Sequence, residues 1–543
     1  MPPFTSSVST ASAEFAQNRA DMLALVAKLR EIEARPALLS EQRRPRFAER
    51  GQITPRERLK RLLDPGMPFV ELYSLASYLV DDPNPETSLP GATQIAGIGF
   101  VGGVRCGFLV DDSGINAGAM VTMSGFKAVE IVEFCIRLKL PFVHLVESAG
   151  ANLLTYQVEM WAKGGGMFNR LALLSASGVP SLTVLHGPST AGGAYHPGMS
   201  DYVIGIRKNG MAALAGAALT QAATGEIPDE EQLGGAEMHA TVSGLVEYLA
   251  EDDAHGILIC RDLVRRLGWN ESCPPLPKRD VAPPLYDPDE LAGVVPVDHR
   301  KAYDVHEVIA RIVDGSDVVD FKPRFGPGTV CAQAAILGYP VGIVGNNGPI
   351  DPSGAAKVTQ FLQLCDQSGT PVVFLHNTTG YIVGTASEQA GMIKHGAKMI
   401  QAVSNVRVPK LVLYIGASYG AGNYGMCGHG YDPDFLFAWP NASTGVMGGE
   451  QAAITMEVVA RNAAKRRGVD PTPAFEAQLA KQRQAILDHF APQSNAFYTS
   501  GRMLDHGIID PRDTRRVLGF ALETCWEARH RTVRPNSFGV ARI

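Results

Sequence analysis

The segment "IGASYGAGNYGM", residues 415–426, contains the spacing G-x-S-x-G with Ser418 as its central serine. In α/β hydrolases this spacing places a nucleophilic serine on a sharp turn between a strand and a helix. Acids and histidines that could complete a catalytic triad follow it in the chain: Asp432, Asp434, His489 and His506. A serine nucleophile is therefore one hypothesis for this segment.

The same segment has a second copy earlier in the chain. "VPSLTVLHGPSTAGGAY" (179–195) and "VPKLVLYIGASYGAGNY" (408–424) align without a gap and share seven of seventeen residues, where average composition would give roughly one. Ser189 aligns with Ser418, but the earlier copy lacks the second glycine of the spacing. A hydrolase needs only one such elbow, so the duplication favours a serine that caps or lines a turn without reacting.

The glycines of the two copies suggest a different chemistry. In each copy an apolar run ends in small residues and then enters a predicted helix start, where backbone N–H groups lack partners. Gly192 and Gly193 align with Ala421 and Gly422. Two adjacent N–H groups can hold an oxyanion, such as a thioester enolate, or the oxygen of a ureido group. These four are the candidate catalytic residues; the alternative is that the glycines only allow close packing of a helix on its strand.

Other chemistries find little support in the sequence. The thirteen histidines form no H-E-x-x-H or similar spacing, and we predict no metal site. Neither a P-loop nor a dinucleotide-binding loop is evident, which disfavours nucleotide hydrolysis and hydride transfer. The glycine-rich segment 338–349 is typical of a strand with a tight turn. Arg207 and Lys208 are better explained by a solvated turn than by a phosphate site.

The elements around the glycine turns follow a repeated α/β pattern. Each copy has an apolar helical stretch, a β-branched run after a proline, the glycine turn, a second helix and a second such run. A shift of 230 residues matches further pairs: Lys127 with Lys357, Cys135 with Cys365 and Gly150 with Gly380. The period is too long for a solenoid. It predicts an α/β fold with two tandem domains from an internal duplication, each with a mostly parallel sheet.

Proline marks the boundary between the two copies. The segment 273–297 concentrates proline where neither a helix nor a central strand tolerates it. We therefore predict four parts: an N-terminal helical segment (1–60), a first domain (61–272), a Pro-rich linker (273–297) and a second domain (298–543).

Length and composition fit a globular enzyme. The 543 residues exceed what one core fills, and 19% charged against 45% hydrophobic residues with a net charge of -6 disfavour a disordered or nucleic-acid-binding chain. The eight cysteines include no C-x-x-C pair, which fits reduced thiols in a cytosol-like compartment. We find no membrane span or secretion signal and expect a bacterial cytoplasmic location, with the mitochondrial matrix less favoured.

Five motifs together resemble one family: "TPRERLKRLLDPG" (54–66), "TAGGAY" (190–195), "SYGAGNYGMCG" (418–428), "VMGGEQAA" (446–453) and "FGVARI" (538–543). The chain resembles the carboxyltransferase (beta) subunits of biotin-dependent acyl-CoA carboxylases from about residue 20 onward. The resemblance implies two crotonase-like (ClpP/crotonase) domains. It also implies an active site between the first domain of one subunit and the second domain of its neighbour, in an assembly of six alpha and six beta subunits.

The resemblance also implies the chemistry. A partner alpha subunit with biotin carboxylase and biotin carboxyl carrier parts would deliver carboxybiotin, and the acyl-CoA would be carboxylated through its enolate. Gly192 and Gly193 would hold the thioester oxygen, and Ala421 with Gly422 the ureido oxygen of biotin. No A-M-K-M biotinylation stretch occurs, the nearest string being at 397–399, so we expect the biotin cofactor on the partner chain.

Two positions bear on the acyl group. Tyr424 stands where propionyl- and acetyl-CoA relatives tend to carry aspartate, and the residues around it resemble the methylcrotonoyl- and geranyl-CoA branch, which carboxylates the γ-carbon of an enoyl thioester. Gly164 stands where methylcrotonoyl enzymes usually carry phenylalanine, which implies a longer acyl pocket as in geranyl-CoA enzymes. Tyr195 and Asn423 complete the candidate substrate-binding residues.

Three alternatives stay open. The chain could be the beta subunit of a carboxylase for propionyl-CoA or another saturated acyl-CoA. It could be a subunit of a biotin-dependent acyl-CoA decarboxylase, which would share the fold and both amide pairs. A non-catalytic assembly scaffold would share the fold but would not bind acyl-CoA.

Overall fold

The computed structural model describes residues 4–151, 158–468 and 472–541. The chain forms two compact units. The N-unit comprises residues 30–277, 501–503 and the tail from Glu523 onward. The C-unit comprises the residues up to Leu29 together with 278–500 and 504–522. The boundary between the two units at residues 277 and 278 lies within the Pro-rich segment 273–297.

The N-unit is built on one sheet. In the described part of the chain its strands are β1 (Val70–Leu72), β2 (Gln94–Val101), β3 (Val104–Asp111), β4 (Phe142–Ser148), β5 (Ser181–Thr190), β6 (Tyr202–Ile206), β7 (Met211–Ala213) and β8 (Tyr248–Ala250). The order is β1-β2-β3-β4-β5-β6-β8, and β7 pairs with the end of β5. The pairings β1-β2 and β2-β3 are antiparallel, and those from β3 onward are parallel. The predicted α/β class with a mostly parallel sheet is confirmed.

The C-unit has the same arrangement in its own sheet. Its strands are β9 (Val319–Asp320), β10 (Thr329–Ile336), β11 (Tyr339–Asn346), β12 (Val372–Thr378), β13 (Lys410–Tyr419), β14 (Phe435–Ala438) and β15 (Ser443–Gly445). The order is β9-β10-β11-β12-β13-β14, with β15 pairing with the end of β13. The first two pairings are again antiparallel and the rest parallel.

Tight hairpins explain the antiparallel pairs, which the sequence pattern did not predict. Gly102 and Gly103 join β2 to β3 with φ of 57° and 82°, and Leu337 and Gly338 join β10 to β11 with φ of 48° and 76°. Two successive positive φ angles give the turn whose twist matches paired strands. Each unit therefore opens with a hairpin before its parallel strands begin.

Helices cover the sheets and connect their parallel strands. They are α1 (Ala13–Glu41), α2 (Arg44–Glu49), α3 (Pro55–Leu62), α4 (Ser124–Leu138), α5 (Val158–Gly164), α6 (Gly166–Ala176), α7 (Tyr195–Gly198), α8 (Ala217–Thr224), α9 (Glu230–Gly234), α10 (Ala236–Met238), α11 (Asp253–Arg266), α12 (Leu291–Val294), α13 (Val305–Ile312), α14 (Pro352–Ser368), α15 (Thr385–Gln389), α16 (Met392–Asn405), α17 (Gly420–Gly425), α18 (Gly449–Arg466), α19 (Pro473–Ser494), α20 (Ala496–Gly501) and α21 (Thr514–His530). Across the described ranges, none of these helices is both long and apolar enough to span a membrane.

A buried lysine occupies the same place in both units. Lys127 on α4 is fully buried and donates from Nζ to the carbonyl oxygens of Gln94 (2.7 Å) and Gly91 (3.1 Å). Burial lowers the pKa of Lys127 to about 8. Lys357 on α14 is also buried and donates to the carbonyl oxygen of Gly326 at 2.9 Å. Each ammonium thus satisfies main-chain carbonyls that a loop would otherwise leave without donors.

The two chain ends are anchored by buried charges. In the N-unit, the fully buried side chain of Arg105 donates to the carboxylates of Glu523 (2.6 Å) and Glu527 (3.0 Å) in the tail. In the C-unit, the Glu307 carboxylate accepts from the backbone N–H of Ser7 at 2.7 Å. Breaking a buried ion pair by removing one partner is strongly destabilising, so the tail is an integral part of the N-unit. The N-terminal segment is held to the C-unit by the hydrogen bond to Glu307.

Candidate active site

The first glycine turn, residues 190–194, follows the last residue of β5. Ala191 has φ of 55°, a left-handed conformation that costs a non-glycine residue about 1–2 kcal/mol. A short 3₁₀ helix then runs from Ala191 to Ala194, with Gly192 second and Gly193 third. A left-handed residue beside right-handed ones aims successive N–H groups toward one side and forms an anion-binding concavity. Gly192 is exposed and Gly193 is buried, so the concavity opens at Gly192.

The second glycine turn, residues 419–423, has the same geometry. β13 ends at Tyr419, Gly420 has φ of 58°, and α17 follows with Ala421 second and Gly422 third. Ala421 is exposed and Gly422 is buried, as at the aligned positions of the first turn. The N–H groups of Ala421 and Gly422 precede the first i→i−4 hydrogen bond of the helix. In the first turn, the tighter 3₁₀ pattern brings the N–H of Gly193 within reach of the carbonyl oxygen of Thr190. The N–H of Gly192 is therefore the freer donor.

Close packing explains why the buried position of each turn is a glycine. A Cβ on Gly422 would lie 2.7 Å from Cα of Gly380 and 3.2 Å from Cγ2 of Thr378. A Cβ on Gly193 would lie 2.9 Å from Oγ of Ser189. The obstacle to a Cβ on Gly422 is a backbone atom, while the obstacle to a Cβ on Gly193 is the end of a side chain. The second turn therefore tolerates less change than the first.

Ser418 belongs to a buried chain of hydrogen bonds. Asn423 Nδ2 donates to Ser418 Oγ at 2.8 Å, and Ser418 Oγ lies 2.8 Å from His376 Nδ1. His376 Nε2 lies 2.6 Å from the carbonyl oxygen of Met426, which can only accept, so Nε2 carries the proton and the serine hydroxyl donates to Nδ1. Burial lowers the pKa of His376 to about 3, so the ring is neutral. These hydrogen bonds connect β12, β13, the fourth residue of α17 and the residue that follows α17.

This geometry excludes the catalytic triad considered from the sequence. Ser418 and His376 are both fully buried. The second ring nitrogen of the histidine donates to a main-chain carbonyl and not to a carboxylate. The histidine partner also precedes the serine in the chain, unlike the residues expected after it. Ser418 therefore positions the start of α17 and does not act as a nucleophile.

The two candidate residues that follow the second turn have different environments. The Asn423 amide also donates to Oη of Tyr414 at 3.1 Å, so it is directed into the C-unit. The Tyr424 ring is half exposed and lies 5.8 Å from the ring of Tyr431. Tyr424 can meet a ligand directly, whereas Asn423 acts through the helix it holds.

The other two candidates lie in the N-unit. Tyr195 is 46% exposed and its ring packs edge-on against Phe168 at 5.3 Å. Phe168 also lies 3.5 Å from where a Cβ of Gly192 would be, so these aromatic rings border the first turn. Gly164 ends α5, and a Cβ there would have no atom within 4 Å. The position of Gly164 therefore has open space that a larger side chain would occupy.

Tyr195 also borders an apolar cavity of about 480 Å³. Its wall includes Ala194 from the first turn and Leu245 from the segment before β8. The cavity gives an apolar group bound near the first turn a place within the N-unit.

The sequence did not predict the buried His376 or the buried pair of His144 and His196. His376 aligns with Val146 at the shift of 230, so the internal repeat gave no signal for it. In the N-unit, the His196 ring follows the first turn and packs edge-on against His144 at 4.9 Å. His144 Nε2 lies 3.4 Å from the Asp111 carboxylate, and burial lowers the pKa of His196 to about 3. Among the residues described, no group of three or more potential ligands is placed to hold a metal ion.

Comparisons with known proteins identify the family of the chain. The sequence model of the protein family described as the carboxyl transferase domain matches residues 46–539. A probable biotin-dependent acyl-coenzyme A carboxylase beta2 subunit of Mycobacterium tuberculosis is 45% identical over 522 residues, covering 95% of this chain and 96% of its own. The mitochondrial methylcrotonoyl-CoA carboxylase beta chain of Arabidopsis thaliana is 40% identical over 542 residues, covering 98% and 90%. The solved beta subunit of P. aeruginosa geranyl-CoA carboxylase has 48% identity and a TM-score of 0.92, covering 100% of both chains.

Proposed function

The chain belongs to the carboxyl transferase domain family, and from this premise we propose that it transfers a carboxyl group from carboxybiotin, held on a partner subunit, to a branched enoyl-CoA. It is the carboxyltransferase component of a biotin-dependent acyl-CoA carboxylase, in the branch of the methylcrotonoyl- and geranyl-CoA enzymes. The observation that carries the assignment of the site is the pair of glycine turns. They match in their left-handed residue, Ala191 or Gly420, and in the exposed residue that follows it, Gly192 or Ala421.

We also infer that the two units are crotonase-like copies of one ancestral domain. Apart from the edge strand β8 of the N-unit, their sheets share strand order and direction in the described residues. A register shift interrupts the same pairing in each, at Val146–Ser148 and at His376–Thr378. The buried lysines at the same position of α4 and α14 support the same interpretation. Duplication supplies two sets of amides for two oxygens.

The amides of each turn stabilise one oxygen. Proton loss beside a thioester carbonyl moves negative charge onto its oxygen, and preorganised N–H donors lower the barrier to that step. We assign the thioester oxygen to Gly192 and Gly193, with Gly192 as the principal donor because the Gly193 N–H is within reach of the Thr190 carbonyl oxygen. The biotin ureido oxygen, which only accepts, fits the donor pair at Ala421 and Gly422. Carboxybiotin supplies the carboxyl group and the base, so no side chain of this chain has to take the proton.

Gly164 supports an enoyl chain longer than methylcrotonoyl. A Cβ on Gly164 would meet no atom within 4 Å, so the absence of a side chain leaves open space at the end of α5. A γ-carboxylated prenyl chain needs an apolar slot of this kind, since burying each CH₂ contributes about 0.8 kcal/mol. We therefore favour geranyl-CoA over 3-methylcrotonoyl-CoA.

The remaining assignments concern assembly and location. We propose that the chain assembles as a beta hexamer with six biotinylated alpha subunits. The active site would then lie between the N-unit of one copy and the C-unit of another. A cytoplasmic location stays a prediction, because the similar relatives include bacterial chains and chains named as mitochondrial.

Fixation of labelled bicarbonate by the complex with its natural biotinylated partner tests the function. Propionyl-, 3-methylcrotonoyl- and geranyl-CoA are compared, and we expect preference for an enoyl-CoA. Preference for propionyl-CoA would overturn the branch, and decarboxylation as the only activity would favour the decarboxylase alternative. A complex that neither fixes bicarbonate nor binds acyl-CoA in calorimetry would be a scaffold.

Replacing Ser418 with alanine should weaken the biotin side of the reaction. The change removes an acceptor from Asn423 and a donor from His376. A buried group left without its partner costs about 1–3 kcal/mol, so we expect KM for the biotinylated partner to rise about tenfold for each 1.4 kcal/mol. KM for acyl-CoA should stay unchanged, because the first turn lies in the other unit. Steady-state kinetics with each substrate varied measures both.

Ser404→Ala is the matched control, because Ser404 is an exposed serine bonded only within its own helix. The Ser418→Ala effect should be the same across the neutral pH range, since the His376 ring does not titrate there. Equal losses on both substrates would show general damage to the fold and refute the positioning role.

A further inference from the structure

A bulge interrupts each sheet just before its glycine turn. In the N-unit, the pairing of β4 with β5 steps from Val146 to Ser148 on β4 but from Leu185 to Ser189 on β5. The pairing of β12 with β13 has the same step in the C-unit. Extra residues of this kind bend a strand and re-aim its end. Each bulge therefore sets the direction in which its strand enters the glycine turn.

A glycine in each bulge lies against one side chain of the neighbouring strand. A Cβ on Gly187 would lie 2.7 Å from Oε1 of Glu147, and a Cβ on Gly416 would lie 2.7 Å from Oδ1 of Asn377. Glu147 and Asn377 match at the shift of 230 residues. The two units thus share the contact, but the N-unit has a carboxylate where the C-unit has a neutral amide. Glu147 is buried, and a buried carboxylate needs a counter-charge.

Arg58, from the segment "TPRERLKRLLDPG" (54–66), supplies that counter-charge. It is the fourth residue of α3, and its side chain is 1% exposed. Its Nη1 donates to Oε2 of Glu147 at 2.6 Å, and its Nε donates to Oδ2 of Asp253 at 3.0 Å. The planar guanidinium group holds its donors in a fixed geometry, so the two carboxylates are held at fixed positions relative to each other.

Asp253, the first residue of α11, extends this network to the bulge of β5. Its Oδ1 lies 2.7 Å from Nδ1 of the buried His186, and Gln52 Nε2 donates to the carbonyl oxygen of His186 at 2.8 Å. Although burial raises it, the contacts with His186 and Arg58 lower the pKa of Asp253 to about 2, so this carboxylate is charged. The bulge is therefore held at His186 by Asp253 and at Gly187 by the carboxylate of Glu147.

We propose that Arg58 and Glu147 are positioning residues for carboxyl transfer, which fix the bulge of β5 and thereby aim the Gly192 amide at the thioester oxygen. After the bulge, β5 continues only to Thr190 before the first turn begins. A misplacement of about 1 Å caused far from the chemistry can lower a rate about 100-fold. This inference rests on the proposed function, because it takes the first turn as the oxyanion site.

Glu147→Gln tests the proposal, because it keeps the size and the acceptor of the side chain and removes its charge. We expect kcat for carboxyl transfer to fall by about tenfold to 100-fold, with KM for the biotinylated partner unchanged. Arg58→Lys should act in the same direction, since a point charge cannot hold two carboxylates as a planar group does. Bicarbonate fixation by the assembled complex gives kcat and KM, and thermal unfolding of each variant gives its stability.

Glu307→Gln is the matched control, because Glu307 forms a buried ion pair with Arg311 at 2.8 Å in the other unit. It should lower the thermal stability about as much as Glu147→Gln does and keep the wild-type kcat. Asn377→Ala removes the matching contact of the C-unit, so it should raise KM for the biotinylated partner.

Two outcomes would overturn the positioning role. One is a kcat of Glu147→Gln within about threefold of the wild type, far less than a misplaced donor costs, or no lower than that of Glu307→Gln. The other is a rise in KM for the biotinylated partner as large as that of Asn377→Ala. A wild-type complex that fixes no bicarbonate would instead refute the proposed function.

Discussion

Replacing Gly422 with alanine should reduce carboxyl transfer by about 10²- to 10³-fold, the cost of losing one preorganised oxyanion donor. The added Cβ would lie 2.7 Å from Cα of Gly380, a main-chain atom that cannot rotate away. The start of α17 must then move, and the amides of Ala421 and Gly422 move with it. Bicarbonate fixation by the assembled complex measures the loss.

Gly430→Ala is the control for this experiment, because Gly430 lies a few residues after α17 and an added Cβ there meets no atom within 4 Å. It should retain wild-type activity. The Gly422 variant should still bind acyl-CoA, because the first turn is unchanged. If it assembles and transfers carboxyl groups within about threefold of the wild type, far less than loss of a donor costs, the amides are not the oxyanion site.

Replacing Gly193 in the same way should be less damaging, because its obstacle is the rotatable hydroxyl of Ser189. A valine at Gly193, however, is too large for that space and should match the Gly422 variant.

Replacing Gly164 with phenylalanine should change which acyl-CoA is used. The ring would fill the open space at the end of α5. We expect kcat/KM for geranyl-CoA to fall by at least about 100-fold, since excluding even two methylenes costs roughly 1–3 kcal/mol for each. Activity with 3-methylcrotonoyl-CoA should be kept or gained. Competition between the two substrates gives the ratio directly.

A size series at the same position separates this steric effect from damage to the fold. Gly164→Ala should lose little with either substrate, and Gly164→Leu should be intermediate. A proportional loss with both substrates at every size would show that position 164 does not border the acyl chain.

The repeat in the sequence revealed the parts of the site that exist twice. Gly192 and Gly193 were paired with Ala421 and Gly422 because the letters around them match, and the matching strand order and exposure agree with that pairing. The α/β class followed from alternating helical and extended runs. The local sequence predicts helices and strands because each has its own spacing of apolar residues along the chain.

The parts that exist once could not be found in this way. The chain from Asn423 through Ser418 to His376 joins residues more than forty positions apart, and only the fold brings them together. Asn423 was predicted to bind substrate, and its burial against Tyr414 could not be read from a motif. The left-handed conformation of Ala191 could not be predicted from its own residue type, because alanine rarely adopts a positive φ. Only the aligned glycine, Gly420, indicates it.

The first residues of the chain belong to the C-unit and the last to the N-unit, which affects how the protein folds during synthesis. The helix that opens the chain contributes its first part to the C-unit, whose strands emerge from the ribosome only after residue 278. The tail that pairs with Arg105 is the last part of the N-unit to be synthesised. The N-unit therefore cannot be completed until the strands of the C-unit have been synthesised, and its exposed apolar surface needs protection by chaperones until then.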